Sequence, residues 1–302
     1  MDLLARQPSS NRRYRRRFLR IRSAKLKGKL EEKTYSLRTD GFSVFRGIAI
    51  DRIKMWLNQL DSVLRLVESG KENVNPHVGR VMCFAEDPIF LPIVLDNFHF
   101  DLLRFLNFVD CRLYNAFLIS KPPWQRALHW HQDWWGWSHP SSYAGTSPLV
   151  YLMYYLTNTC RANGCLRVIP GSHTSDNSMH AFLRERSTHP DSELPDEDKA
   201  LSFRPDEIDL AVSAGDVVVR DGRLLHASHP NTSTRPRNLL ILAFVPRWDE
   251  VPAALQCAFD RKRPRLSAAW DQRSRDLVLS HSTTYAGLAD PIELQRHPNF
   301  AR

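Results

Sequence analysis

Hydrophobic positions recur with two different periods along this chain. In IDRIKMWLNQLDSVLRLVES (50–69), Ile53, Trp56, Leu57, Leu60, Val63, Leu64 and Val67 fall at three- and four-residue spacing. That is the period of a helix with one buried face, and Gly70 supplies its stop. Just before it, TDGFSVFRGIAI (39–50) sets aromatic and β-branched residues after an Asp-Gly turn signal and predicts a strand. A further apolar run over 88–107 predicts helix. From about residue 111 the pattern changes to short apolar segments separated by Gly, Pro, Asn and Asp: RLYNAFLIS, LHWHQDWWGW, PLVYLMYYLT, CLRVIP, DLAVSAGDVVVRD, RLLHAS and LLILAFVPRW. These supply most of the strands of a jelly roll, so the expected fold is mainly β, a double-stranded β-helix of cupin-like type with helices flanking it on the N-terminal side. Residues 174–206 are polar and contain Pro190, Pro195 and Pro205; they read as a surface insertion with a short helix near Met179–Arg186. No internal repeat is present.

Composition narrows the class. With 302 residues, 42% hydrophobic and 25% charged, the chain has enough apolar side chain for a sizeable core, which excludes disorder throughout. No run of about 18 apolar residues occurs, and the N-terminus lacks the short apolar core of a secretory signal. The expectation is a cytoplasmic protein with no transmembrane segment. Five cysteines, widely spread and without a CxxC pair, read as reduced thiols rather than a zinc or redox motif.

The net charge of +9 is unevenly placed. Residues 1–30 hold eleven Lys or Arg and one acid, whereas the other 272 residues hold thirty-one basic and thirty-two acidic residues. This predicts a basic N-terminal arm over 1–30, flexible or an amphipathic surface helix, ahead of one catalytic domain over 31–302. Such an arm is suited to anionic lipid or another acidic surface. Nucleic acid is the weaker partner, because a groove that tracks phosphates needs basic residues on the catalytic body as well.

The search for chemistry starts from His-x-Asp, since residues two apart on a strand share a face and can share a metal. The chain has three such pairs, His99/Asp101, His131/Asp133 and His189/Asp191, where chance gives roughly 0.6. On the helix expected at 88–107, His99 and Asp101 diverge by about 200°. His189 and Asp191 flank Pro190 in the polar insertion. In HWHQDWWGW, by contrast, alternation puts His129, His131, Asp133 and Trp135 on one face. A second, distant histidine stands out at the end of AGDVVVRDGRLLHAS: His226, preceded by the turn signals Gly215-Asp216 and Asp221-Gly222 around a short strand. Eleven residues on, across HPNTSTRP, Arg237 opens the next strand, where its planar fork can grip the distal carboxylate of a dicarboxylate. Ser228 faces the same side as His226 and can donate to that carboxylate. Arg235 is close enough in sequence to exchange roles with Arg237. His129 lines the pocket or packs beside it, and the tryptophans of this segment read as core or pocket wall.

Taken together, these parts resemble the phytanoyl-CoA dioxygenase family of iron(II)/2-oxoglutarate oxygenases. The resemblance spans roughly 39–248: DGFSVFRG, KPP then WHQD, NGCLRVIPGSH, and GDVVVRDGRLLHAS followed by N-x-S-x-R-P-R. It implies His131, Asp133 and His226 as ligands of Fe(II), Arg237 and Ser228 on the 2-oxoglutarate carboxylate, and Met153 against that co-substrate. His173, in PGSH, falls where the family uses a structural turn. The implied activity is O₂-dependent hydroxylation of an unactivated C–H of a small organic or lipid-like substrate, releasing succinate and CO₂. The carboxylate of Asp133 sets the chain apart from related halogenases, which lack it. A cupin-like metal-binding protein without oxygen chemistry is the alternative on the same scaffold, and a nucleic-acid-modifying oxygenase using the arm is another.

Overall fold

The computed structural model describes residues 24–69, 75, 77–186, 194–195 and 197–300. Most of the basic arm, residues 1–23, and the pair His189/Asp191 lie outside the described residues. The chain enters through helix α1, Ala24–Thr39, then strand β1, Phe42–Phe45, then helix α2, Ile50–Ser69. Helix α1 starts inside the segment assigned to the arm. Its sequence AKLKGKLEEKTYSLRT carries too broken an apolar stripe to announce a helix. The predicted helix at 50–69 forms with those bounds. The apolar run beyond it splits into α3, Leu91–Val94, and α4, Asn97–Phe105. The break is local chemistry: Asp96 has extended backbone, and its carboxylate accepts from the Phe98 N–H at 3.0 Å as the N-cap of α4.

Ten strands lie among the described residues, in two antiparallel sheets. The larger has β2 (Arg80–Cys83), β3 (Arg112–Lys121), β5 (Val150–Tyr155), β8 (Val217–Asp221), β10 (Arg237–Val245) and β1, in the order β1-β8-β5-β10-β3-β2. The smaller has β4 (Leu128–His131), β6 (Leu166–Val168), β7 (Ile208–Leu210) and β9 (His226–Ser228), in the order β4-β9-β6-β7. This is the expected jelly roll with flanking helices. Helices also follow the sheets: α6, Ala253–Lys262, and α7, Gln272–Leu279, come after α5, Ser178–Arg186, which sits in the polar segment. The N-terminal flanking helices and the short helix near 179–186 are as expected, and the two helices after the last strand add to them. Both are short, ten and eight residues, so each offers at most about three turns of apolar period to read.

The larger sheet is covered on both faces, which is why β5 and β10 are buried along their whole length. One face, with Leu152, Tyr154, Leu240, Leu242 and Phe244, packs under α2 and α4, including Trp56, Leu60, Phe98 and Leu102. Residues of the opposite parity, Tyr151, Met153, Tyr155, Leu239 and Ile241, turn towards the smaller sheet. Each such buried side chain contributes about 1.5–3 kcal/mol, so the helical layer fixes the larger sheet and frees its other face for chemistry. His99 belongs to that helical layer. It is buried, its Nδ1 is 2.6 Å from the Tyr154 hydroxyl, and its Nε2 is 2.7 Å from the Ile93 carbonyl. Asp101 points away and pairs with Arg104 at the surface. No helix among the described residues is long and apolar enough to cross a membrane.

Candidate active site

Strands β4 and β9 pair antiparallel, and the register sets His131 directly opposite His226. Directly opposed side chains on one face come close, and here the two imidazole centroids are 4.0 Å apart. Both rings are fixed in the same way: His131 Nδ1 lies 2.8 Å from the His129 carbonyl and His226 Nδ1 3.0 Å from the Leu224 carbonyl. Carbonyls only accept, so each Nδ1 carries the proton and each Nε2 lone pair faces the site. Burial pushes the His131 imidazole below its ordinary pKa, and burial followed by the charge of Arg220 pushes His226 well below. Neutral imidazoles with free Nε2 atoms are the form that binds metal.

Asp133 reaches the same point by a route that alternation did not anticipate. Strand β4 ends at His131, and the chain bends so that the Asp133 and Trp134 N–H groups both donate to the Gly222 carbonyl, at 3.0 and 2.9 Å. The Asp133 carboxylate then lies 3.8 Å from His131 Nε2 and 3.6 Å from His226 Nε2. A ligand atom from each of the three residues falls within a 4.8 Å group. Arg220, on β8, donates to Asp133 through Nη2. Burial alone raises the Asp133 carboxyl pKa, but Arg220, His226 and His131 outweigh it and hold the group well below the usual carboxylate range. Trp135 does not share this site. It turns into the core against Trp134 and Phe259, which corrects the expected common face, while Gln132 does line the cavity.

The triad opens on a cavity of about 380 Å³ that Met153, Ser228, Arg237 and His129 also line. Arg237 is 6% exposed, and among the described residues its guanidinium makes no hydrogen bond or ion pair; its buried Nε has no partner. Buried polar groups are nearly always satisfied, so this guanidinium is suited to pair with an anion. Arg235 is exposed and does not line this cavity. Ser228 Oγ accepts from Lys121 Nζ at 2.9 Å, and a hydroxyl that accepts still has its own proton to donate. Met153 stands between Tyr151 and Tyr155 on the cavity face of β5.

Lys121 and Arg220 were missed in the sequence. Lys121 ends β3, is fully buried, and also donates to the His229 carbonyl at 2.8 Å; burial and then Arg237 push its amine well below the ordinary value. It runs across Gly164, whose φ of +87° and whose Cβ position, 3.0 Å from Lys121 Cδ and from the His229 carbonyl oxygen, exclude a side chain. The only sequence signal was its place in KPP. His173 is structural, its Nε2 3.0 Å from the Arg38 carbonyl. A second group, Cys165, Asp209 and His229, is committed elsewhere. Asp209 is bound by His229 at 2.6 Å and Arg161 at 3.0 Å, and burial pushes the Cys165 thiol up to about 12.

With this geometry in view, the comparisons with known proteins are informative. The sequence profile of the phytanoyl-CoA dioxygenase (PhyH) family matches residues 50–239. A probable alpha-ketoglutarate-dependent hypophosphite dioxygenase of Stutzerimonas stutzeri is 30% identical over 144 residues, 48% of each chain. The chain thus spans about half the length of this curated relative, and less of others. Among solved structures, HygX from Streptomyces hygroscopicus, with nickel and 2-oxoglutarate bound, superposes with a TM-score of 0.54 at 20% identity, over 72% of this chain and 86% of its own. The epimerase SnoN from nogalamycin biosynthesis, in complex with Fe³⁺ and alpha ketoglutarate, gives 0.52 at 17%, over 72% and 84%. At these identities the likeness is one of fold.

Proposed function

Because the chain belongs to the phytanoyl-CoA dioxygenase family, we propose that it is an iron(II)- and 2-oxoglutarate-dependent oxygenase that uses O₂ to hydroxylate an unactivated C–H of a small organic or lipid-like substrate, releasing succinate and CO₂. In this reading residues 31–302 form one catalytic unit, with His131, Asp133 and His226 holding the metal.

The observation that carries it is the orphaned guanidinium of Arg237 in the same cavity as a two-histidine, one-carboxylate group. The donor set fits the metal. Two imidazoles and a carboxylate on one face, with further positions open, suit non-haem iron(II). Ligands roughly 2.0–2.2 Å from a common ion stand about 3–4 Å from one another, and the 3.6 and 3.8 Å separations here match. The co-substrate fits too. A dicarboxylate held at the metal by one end has its other end free, and Arg237 is a buried cation awaiting an anion.

Each side chain then has a task. His131 and His226 present neutral Nε2 atoms held by backbone carbonyls. Asp133 supplies negative charge and is kept ionised and oriented by Arg220. Arg237 pairs with the distal carboxylate of 2-oxoglutarate, and Ser228 donates to it while held by Lys121. Met153, Leu239 and Ile241 give this part of the cavity apolar walls, excluding water that would compete with substrate. When bound, the iron supplies the O₂ chemistry, and the protein supplies position and dryness.

Anaerobic titration of the protein with iron(II) and 2-oxoglutarate tests this. A metal-to-ligand charge-transfer band in the visible region supports the oxygenase. Tight metal binding without a band dependent on 2-oxoglutarate favours the cupin-like metal-binding alternative. Product analysis then separates hydroxylation from other outcomes such as the epimerisation named for one structural neighbour.

A further inference from the structure

The cavity has a second cationic end. On β5, Tyr151 and Tyr155 face it four residues apart, about 13 Å at a strand rise of 3.3 Å. β8 sets Arg220 opposite Tyr151, whereas β10 sets Leu239 opposite Tyr155 with Arg237 two residues further out. Arg220 and Arg237 therefore serve opposite ends, and one small anion does not satisfy both. The Arg220 side chain is 2% exposed. Its guanidinium lies over the Tyr151 ring at 4.2 Å, gives Nη2 to Asp133, and keeps a buried Nε without a partner.

A second guanidinium meets this end from the C-terminal segment. The Gln295 N–H donates to the Trp135 carbonyl at 2.9 Å, and the Trp137 N–H donates to the Gln295 carbonyl at 3.1 Å. This clamps the segment two residues beyond Asp133 and delivers Arg296 to the cavity wall. Arg296 is exposed at the mouth, and no hydrogen bond or ion pair engages it among the described residues. Its charge adds to burial in holding the Lys262 amine below its ordinary pKa.

Among the described lining residues Asp133 is the one carboxylate, against three arginines. Iron(II), Asp133, a dianionic co-substrate and Arg237 balance one another. In that count the charges of Arg220 and Arg296, both lining the cavity, are left over.

We propose that the primary substrate carries an oxyanion, carboxylate or phosphorus-based, seated between Arg296 and Arg220. This rests on the oxygenase reading, and it names the class of substrate. The anion anchors one end of the molecule, and the apolar walls take the rest.

The test uses full-length protein under anaerobic conditions with iron(II) and saturating 2-oxoglutarate, which occupies the Arg237 end. Phenylacetate, phenylphosphonate and neutral phenylacetamide are titrated while the charge-transfer band is followed. At least one anion should perturb the band at a concentration ten-fold or more below the amide, and whichever anion is tighter identifies the class. Arg296→Gln should abolish this preference while the 2-oxoglutarate half-saturation stays as in wild type; Arg296→Lys should restore part of it. Equal binding of acid and amide, no binding of any of the three, or a preference that survives Arg296→Gln overturns the proposal. If the band itself never forms, the oxygenase reading fails instead, and calorimetry comparing wild type with Arg296→Gln decides the anion site on its own.

Discussion

His131 and His226 are cross-strand partners. They belong to strands separated by about ninety-five positions in sequence, yet the β4–β9 register places them face to face with ring centroids 4.0 Å apart. Two carbonyls, of His129 and Leu224, turn both Nε2 atoms the same way. A pair so arranged needs only one carboxylate to complete a facial metal site, and Asp133 is there.

Removing any of the three should remove the metal. His131→Ala, Asp133→Ala and His226→Ala are expected to retain less than about a tenth of the wild-type iron(II) stoichiometry after desalting and to lose substrate-dependent succinate formation. Metal analysis by mass spectrometry and a succinate assay check this. Asp133→Ala with full activity and no added halide would refute the triad.

Arg237→Ala should weaken 2-oxoglutarate specifically. An unpaired buried charge costs roughly 3–5 kcal/mol, so the half-saturating concentration should rise about 100-fold or more at 1.4 kcal/mol per factor of ten. Iron stoichiometry should be unchanged, since no ligand is lost. Lys at 237 rescues only in part because a point charge lacks the fork. Arg235→Ala, altering an exposed side chain, is the control and should leave the constant alone.

Lys121→Met should give a smaller effect of the same kind. Ser228 would lose the donor that holds it at 2.9 Å, and one hydrogen bond from a charged group is worth roughly 1.5–3 kcal/mol. An increase of about ten-fold in half-saturating 2-oxoglutarate is expected, with kcat at saturation little changed. A loss confined to kcat would place Lys121 in a different role.

Acid should weaken the metal-free fold through His99. Its pKa is lowered from 6.5 to about 4, chiefly by burial. A folded value below the unfolded one means that this stability is fully present above pH 6.5 and is lost as pH falls through about 4. At about 1.4 kcal/mol per pKa unit, roughly 3 kcal/mol is at stake. Denaturant melts at pH 7 and 4 should show this slope, and His99→Leu should flatten it by that amount while being less stable at pH 7, because the Tyr154 hydroxyl and the Ile93 carbonyl lose their partner. An equally steep slope in the variant would assign the acid sensitivity to other histidines.

Deleting residues 1–23 should leave kcat and KM on a soluble substrate within about two-fold. Helix α1 begins at Ala24, and its C-terminal end packs near β1, where the Ser36 hydroxyl donates to the Phe42 carbonyl at 2.9 Å. Steady-state kinetics of the truncated protein give the answer, and a ten-fold loss would show that the arm reaches the site.

Local chemistry made part of this protein legible from sequence alone. The three-to-four-residue spacing from Ile53 to Val67 marked α2, and the two-residue period marked the strands, because a helix or strand must show its core one face at its own repeat. The same logic singled out His131 and Asp133 over the other two His-x-Asp pairs, and the spacing across the turn between β9 and β10 pointed to Arg237, with Arg235 as the alternative. What the tertiary structure decided is where the period ends and which remote chains meet. Strand β4 stops at His131 because the Gly222 carbonyl draws in the Asp133 and Trp134 amides, so Trp135 turns to the core although alternation put it with the metal. Lys121, Arg220 and Arg296 come from β3, β8 and the C-terminal segment. In sequence each is one basic residue among many, and only the tertiary packing around one cavity brings them to the site.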